Sequence, residues 1–495
     1  MYLKKIFLVL ALLVPSLAWA QFQGTDRPAG DSTLVLSLED AIRIALSENT
    51  SVKVADMEIQ RQQYARKGTY AALFPQVNGT GSYQRTIKKQ VMYMGGGDDG
   101  EGGGSSSMFS GILEPIEWYL NQLIAQHPGA IQPYVPEPTP EQDNSGGIAV
   151  GRLNTWSAGI NASMPLVNAQ LWESISLSAD QVELAVEKAR ESRLGTVTSV
   201  KQAYFAILLA KEVFEVYKQV YENAVENFRQ TEMKYNVQKA TQLDLTRAKS
   251  NVAASIPDVY NAESTVMLAL WQLKAVMGLD LEREIDVAGS LEDYSLTMFR
   301  DLNEGGEMGL ERNTSLRQLD MQARQLAKTI RMQQFAYIPS LNLSFAYSFN
   351  AMTDNFKFSE YRWTPYSYVG LSLSIPIFSG GQRYYTIKQT RVQADELALQ
   401  RENTERQLRI SIRQSLSTME TAMKTYDTAR DAQGTAQKAY DIAAKSYQLG
   451  KSTLTDLNNT ELTLIQTKLQ AMQAVYNFVI AKATLEQTLG YDFVE

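Results

Sequence analysis

Two matching segments, 212 residues apart, constrain this chain more than any other feature. Tyr235-Asn-Val-Gln-Lys-Ala-Thr-Gln-Leu-Asp244 and Tyr447-Gln-Leu-Gly-Lys-Ser-Thr-Leu-Thr-Asp456 share Tyr, Lys, Thr and Asp at the same four places. Each interrupts a long helical pattern and has a helical pattern on both sides, so each reads as a sharp reversal between antiparallel helices. The match extends outward. Gly278-Leu-Asp280 and Gly490-Tyr-Asp492 close the two units, again 212 apart. Pro165 pairs with Pro376 at a spacing of 211, and Pro75 with Pro339 at 264. A repeat of this size sets the architecture before any local reading is made. The first copy has 90 residues between its prolines and the second 37, so the first carries an insertion of 53.

Between the prolines the hydrophobic period is two. Val77, Gly79, Gly81 and Tyr83 alternate with Asn78, Thr80, Ser82 and Gln84, and Trp156, Ala158, Ile160, Ala162 and Met164 alternate with small polar residues. The second copy repeats this with Leu341 to Phe349 and with Val369, Leu371, Leu373 and Ile375. This predicts strands at about 75–86, 154–164, 340–350 and 366–376, each with one apolar face and one small, polar face. Aromatic residues gather near the strand ends at Tyr347, Phe349, Tyr361, Trp363 and Tyr366, as in a lipid-facing barrel. Four strands are too few for a barrel with a useful lumen, so the missing strands must come from an oligomeric ring.

The remainder is helical. Helix one is expected over Ser37 to about Ala72, with Ser37 as its N-cap and Glu39 and Asp40 in the first turn. Long helices are expected from about Asn168 to Lys234 and from Arg383 to Ser446, with return helices at Gln242 to Met277 and Leu454 to Leu489. Phe214, Tyr217, Tyr221, Ala224, Phe228, Thr231 and Tyr235 step by three and four, the rhythm of a coiled-coil seam. Sixty-five helical residues span roughly 100 Å, which implies a rod or tube. Residues 21–280 form the first repeat, 281–312 a linker and 313–495 the second repeat.

Lys4 and Lys5, the apolar run Ile6 to Val14 and Ala18-Trp-Ala20 have the pattern of a cleaved secretory signal over residues 1–20. Without Lys4 and Lys5 the chain has 45 basic and 54 acidic side chains, which argues against a nucleic-acid partner. There is no cysteine. The sole histidine, His127, lies in the insertion, so neither a Ser/His/Asp set nor a metal centre can be built in the repeated scaffold, and no enzyme or cofactor is expected. The inserted loop at about 87–152 has a Gly-rich stretch at 95–104, an apolar stretch from Met108 to Ile124 and a Pro-rich stretch from Ile131 to Asp143. Its Asp98, Asp99 and Glu101 read as a solvated loop, with a calcium site as the alternative. The apolar stretch reads either as a short helix over a barrel mouth or as a partner contact.

The duplicated helix–strand–strand–helix–turn–helix order, with the Tyr-x-x-Gly-x-x-Thr-x-x-Asp turn, resembles the TolC family of outer membrane channel proteins. The resemblance covers nearly the whole chain after residue 20. It implies a homotrimer in the cell outer membrane, with a twelve-stranded barrel in lipid and a periplasmic helical barrel. It implies a passive efflux or type I secretion duct for small molecules such as drugs, gated at its tip. The implied partners are a periplasmic membrane-fusion adaptor and an inner-membrane transporter of RND or ABC type. A protein-secretion duct of the same family and a trimeric coiled-coil surface fibre are the alternatives.

The resemblance also assigns residues. Asp456 takes the place of the first acid of a pore constriction, and Asn459 stands where a second acid is expected. Tyr447 matches a tyrosine that ties the closed turns. The adaptor would contact Tyr235, Lys239, Thr241, Asp244, Gly450, Lys451 and Thr453. Two departures stand out. Lys451 lies one place before the position where a basic residue is expected, Ser452. Gln238 occupies the glycine place of the first turn, so the two turns are expected to differ in shape. For Asp456 two readings stand, a gate and a helix N-terminal cap.

Overall fold

The structure, a computed structural model, describes residues 34–92, 148–296 and 309–492, together with Gln122, Ala125 and Met298. The signal sequence, the Gly-rich and Pro-rich stretches, most of Met108 to Ile124, the acidic cluster and His127 lie outside the described residues. The chain divides into two compact units. One holds residues up to 64, 179–327 and 391 onward; the other holds 65–178 and 328–390.

The second unit is built on an antiparallel sheet of four strands, β2 (Gln76–Arg85), β5 (Asn154–Val167), β7 (Ser340–Thr353) and β8 (Thr364–Ser374), in the order β2-β5-β7-β8. Val77, Ile160, Phe345, Val369 and Leu371 line one exposed face; Val369 is 71% and Leu371 67% accessible. On the opposite face Ser82 and Ser157 share a hydrogen bond of 2.7 Å, and Asn161 donates to Thr80. The outer edges of β2 and β8 have no neighbour among the described residues. Two boundaries differ from expectation. β5 runs three residues further, because a register shift between Pro165 and Val167 absorbs a proline that has no N–H to donate. β8 begins and ends two residues earlier, with Pro365 inside it, which an edge strand tolerates. The insertion is not irregular at its roots, since β3 (Gln90–Met92) and β4 (Ile148–Val150) pair antiparallel there.

The first unit is helical. The expected helix one is two helices, α1 (Leu38–Glu48) and α2 (Thr50–Ala71), which meet at Asn49. Asn49 leaves the helical conformation at ψ 129, and its Oδ1 accepts from Ser51 and Val52 N–H while its Nδ2 donates to Val276 O at 2.6 Å. A side chain that competes so well for local backbone donors ends a helix whatever the apolar period says. The long helices α3 (Ala169–Asn236), α4 (Gln242–Met277), α7 (Gln382–Gln448) and α8 (Leu454–Leu489) match their expected spans within two residues.

The 281–312 region is more than a linker. Within it β6 (Ile285–Val287) pairs in parallel with β1 (Leu34–Leu36), and α5 (Leu291–Ser295) buries Leu291. They close over Ile42, Tyr204, Leu208, Leu273, Met277 and Phe478, all fully buried. The Tyr204 hydroxyl donates to Ala288 O, and burial pushes its pKa up to about 12. Helix α6 (Thr314–Phe335) then opens the second copy.

Candidate functional site: the two helix turns

Both turns are built from the same two devices. At the end of α3, Gln238 N–H donates to Tyr235 O and Lys239 N–H to Lys234 O; at the end of α7, Gly450 N–H donates to Tyr447 O and Lys451 N–H to Ser446 O. This pair of bonds is a Schellman closure, which needs a left-handed residue at its centre. Gly450 has φ 72 and Gln238 has φ 60. The expected difference in shape is therefore absent. Gln238 is forced into the glycine conformation, and no other described non-glycine residue has a positive φ. Gln238→Gly should stabilise the first turn by about 0.5–1 kcal/mol, the left-handed penalty less the entropy of glycine. Slower hydrogen exchange at the Lys239 amide would show it; unchanged or faster exchange would mean that the turn is not strained.

A capping box starts each return helix. Thr241 Oγ1 accepts from Asp244 N–H at 3.1 Å and Thr241 N–H donates to the Asp244 carboxylate at 3.2 Å. Thr453 and Asp456 repeat this at 3.1 Å in both directions, with Ser452 adding a longer bond at 3.4 Å. The Thr453 hydroxyl and backbone hold the Asp456 carboxyl below its ordinary pKa, so it is ionised at neutral pH. The cap reading thus holds for both aspartates. Asp456 remains exposed, and Asn459 lies three residues along α8, also exposed and on the same side of the helix.

The copies part at the tyrosines. Tyr235 is 37% accessible and Tyr447 only 6%. Thr231 Oγ1 donates to Asn227 O, so the Tyr447 hydroxyl is the donor in its 2.5 Å bond to Thr231. Lys234 Nζ donates to Tyr447 O and lies 3.9 Å from the Tyr447 ring centroid. Burial lowers the Lys234 pKa. Ala248, Ala443, Leu454 and Leu457 enclose the contact. Tyr447 therefore joins the first-copy helix α3 to the second-copy turn. Lys239, Thr241, Lys451 and Thr453 stay exposed at the tip.

Further along, Asn223 donates to Glu461 at 2.9 Å, which ties α3 to α8. Burial raises the Glu461 pKa, and burial together with that charge pushes Tyr440 up to about 12. Lys234, Asn223 and Glu461 escaped the sequence reading, and Thr231 entered it only as a seam position. Their signal is the mismatch between copies: Thr231 and Lys234 correspond to Ala443 and Ser446.

The outer membrane efflux protein family matches residues 139–279 and 307–491, more than half of the chain. Outer membrane protein TolC of Escherichia coli (strain K12) is 22% identical over 348 residues, covering 68% of this chain and 70% of its own. The Campylobacter jejuni CmeC outer membrane channel aligns with a TM-score of 0.65 at 17% identity, over 92% of this chain and 85% of that one. The outer membrane protein VceC of Vibrio cholerae aligns with a TM-score of 0.64 at 14% identity, over 92% of this chain and 96% of that one. The family match covers more than half of the chain, and the chain belongs to the outer membrane efflux protein family, as a TolC-type channel of the outer membrane with its helices in the periplasm.

Proposed function

We propose that three copies close their sheets into one twelve-stranded barrel and that the helices form the periplasmic duct of a tripartite efflux system. The observation that carries this reading is the sheet itself. It has an apolar face that water does not favour and two edges that have no neighbour among the described residues and that lipid does not tolerate open, and both are satisfied when β2 of one copy meets β8 of the next. Cargo is small molecules that an inner-membrane transporter delivers. The chain itself supplies a passive path, and a periplasmic adaptor bears on the turns at 235–244 and 447–456.

The closed tip is held by Tyr447, and the ring of three Asp456 carboxylates gives the pore its preference for cations. Asp456→Asn tests the ring without removing the cap, because an amide oxygen still accepts from Thr453 N–H. Single-channel recording in planar bilayers should show cation-preferring steps in wild type and a weakened preference in Asp456→Asn, at equal trimer yield by native mass spectrometry. Equal selectivity in the two would remove Asp456 from the constriction. Absence of both trimer and conductance would refute the duct.

A further inference from the structure

The two ends of the four-stranded sheet differ in charge. Where the strands pass into helices, residues 72–76, 165–168, 336–341 and 374–381 include no charged side chain. At the loop end, residues 85–92, 148–153 and 354–363 hold six cations, Arg85, Lys88, Lys89, Arg152, Lys357 and Arg362, against Asp354 and Glu360. Since the helices are periplasmic, the loop end faces outward.

Both acids are already occupied. Asp354 takes Arg152 at 2.6 Å, Lys89 at 3.2 Å and the Leu153 N–H at 2.9 Å, which together hold its carboxyl down at about 2. Glu360 lies 3.5 Å from Lys357. Arg85 and Lys88 are exposed and have no carboxylate partner among the described residues.

The position of Arg85 is decisive. Along β2 it shares a face with Val77 and Tyr83, the apolar face of the sheet. The β7–β8 connection folds back over that same face and buries Asn154 and Ala351 to 2% and 1% accessibility. It lays down an aromatic shelf. Tyr83 and Trp156 have centroids 4.3 Å apart, Trp156 meets Phe358 edge-on at 5.2 Å, and Phe358 meets Tyr361 at 4.8 Å. Arg85 stacks on Phe356 at 5.7 Å, and Phe356 and Phe358 remain more than half accessible.

From the strand centre outward the order is therefore aliphatic face, aromatic shelf, unpaired cation. Aromatic rings sit at headgroup depth, and a guanidinium just beyond them sits where lipid phosphates lie. Guanidinium binds phosphate with two parallel hydrogen bonds and stays charged throughout. We infer that Arg85, beside the Tyr83–Trp156–Phe358 shelf, and Lys88, exposed three residues further along the chain, bind the phosphate groups of a phosphorylated glycolipid of the outer leaflet. This binding requires only the outer membrane placement of the sheet and is independent of gating.

The test is native mass spectrometry of the purified protein titrated with a bis-phosphorylated, acylated glucosamine disaccharide, beside its phosphatase-treated form and beside inorganic phosphate. Wild type should retain the phosphorylated lipid. Arg85→Ala with Lys88→Ala should retain it about thirtyfold less, the effect of two surface cations on an anionic lipid. Arg85→Lys should recover part of the loss, which separates charge from folding. Equal retention of the phosphatase-treated lipid would overturn the proposal. So would full competition by millimolar inorganic phosphate, because the site would then recognise the anion and not the lipid. Unchanged retention in the double variant would likewise overturn it. Single-channel conductance of the double variant should equal wild type, so a failure here leaves the duct untouched.

Discussion

A Tyr447→Phe, Lys234→Met variant, which cuts the proposed latch, should pass current in planar bilayers in larger steps than wild type. Three interactions are removed. The Tyr447 hydroxyl loses its buried bond to Thr231, worth about 1 kcal/mol. Thr231 is not orphaned, since its own proton still goes to Asn227 O. Lys234 loses a charge-assisted bond to Tyr447 O, worth about 1.5–3 kcal/mol, and its place over the ring, worth about 0.5–2 kcal/mol. The sum is about 3 kcal/mol or more per protomer, and each 1.4 kcal/mol moves a two-state equilibrium about tenfold. A closed tip held by this contact therefore shifts by about a hundredfold toward open. The repeat provides its own control. Tyr235 occupies the same place in the first turn but is exposed, so Tyr235→Phe should leave the steps unchanged. If both variants behaved alike, the latch would not be what keeps the tip closed.

That control also shows what a sequence repeat carries and what it does not. Spacing transmits backbone. The return helices Gln242–Met277 and Leu454–Leu489 were legible to the residue, because Thr241 and Thr453 begin them, Gly278 and Gly490 end them, and the apolar period fills the interval. The sheet was legible for the same reason, since alternation over about ten residues suits the two faces of a strand and leaves a helix with no apolar side. Contacts between the copies were not legible. Tyr235 and Tyr447 are the same letter in the same motif, and their difference in burial is made by Thr231 and Lys234 on another helix, where the copies diverge. Gln238 misled for a related reason. A turn closed by two backbone bonds and followed by a capping box can impose a left-handed φ that the residue would not choose. The break at Asn49 was hidden because helix-forming sequence stands on both sides of it, while the side chain that takes the Ser51 and Val52 N–H groups is held in place by a hydrogen bond to Val276 O, 227 residues away. At the candidate gate, the positions of Asp456 and Asn459 followed from the motif, and the latch beside them did not.

The largest loss of stability is expected at Gly490, and the repeat explains why. Asn49 and Asn313 are 264 residues apart, the same offset as Pro75 and Pro339, and they perform the same task. Asn49 caps α2 and donates to Val276 O; Asn313 caps α6 through Leu316 N–H at 3.0 Å and donates to Thr488 O at 2.7 Å. Each acceptor lies two residues before a left-handed glycine, Gly278 at φ 74 or Gly490 at φ 73. The asparagine bond draws the incoming segment onto that glycine. A Cβ on Gly278 would lie 2.7 Å from Glu48 O, and one on Gly490 would overlap the Arg312 carbonyl. In the second copy Arg190 tightens the junction, donating to Gly490 O at 2.7 Å, Arg312 O at 3.3 Å and the Asp492 carboxylate at 2.9 Å. The backbone cannot retreat without breaking these bonds. Gly490→Ala therefore combines a left-handed penalty of about 1–2 kcal/mol with steric overlap against a fixed carbonyl, for a total of about 3–5 kcal/mol. Gly450→Ala carries the first cost alone, about 1–2 kcal/mol, because among the described residues no atom beyond its chain neighbours lies within 4 Å of its Cβ position. Thermal denaturation of the two purified variants separates the causes. A midpoint far below wild type for Gly490→Ala, with a small decrease for Gly450→Ala, is the expected pair. Equal decreases would mean that backbone conformation alone matters and that the Asn313 junction yields. Asn313→Ala then decides what draws the segments together, since it frees the Thr488 carbonyl and should make Gly490→Ala less costly in the double variant than in the single one.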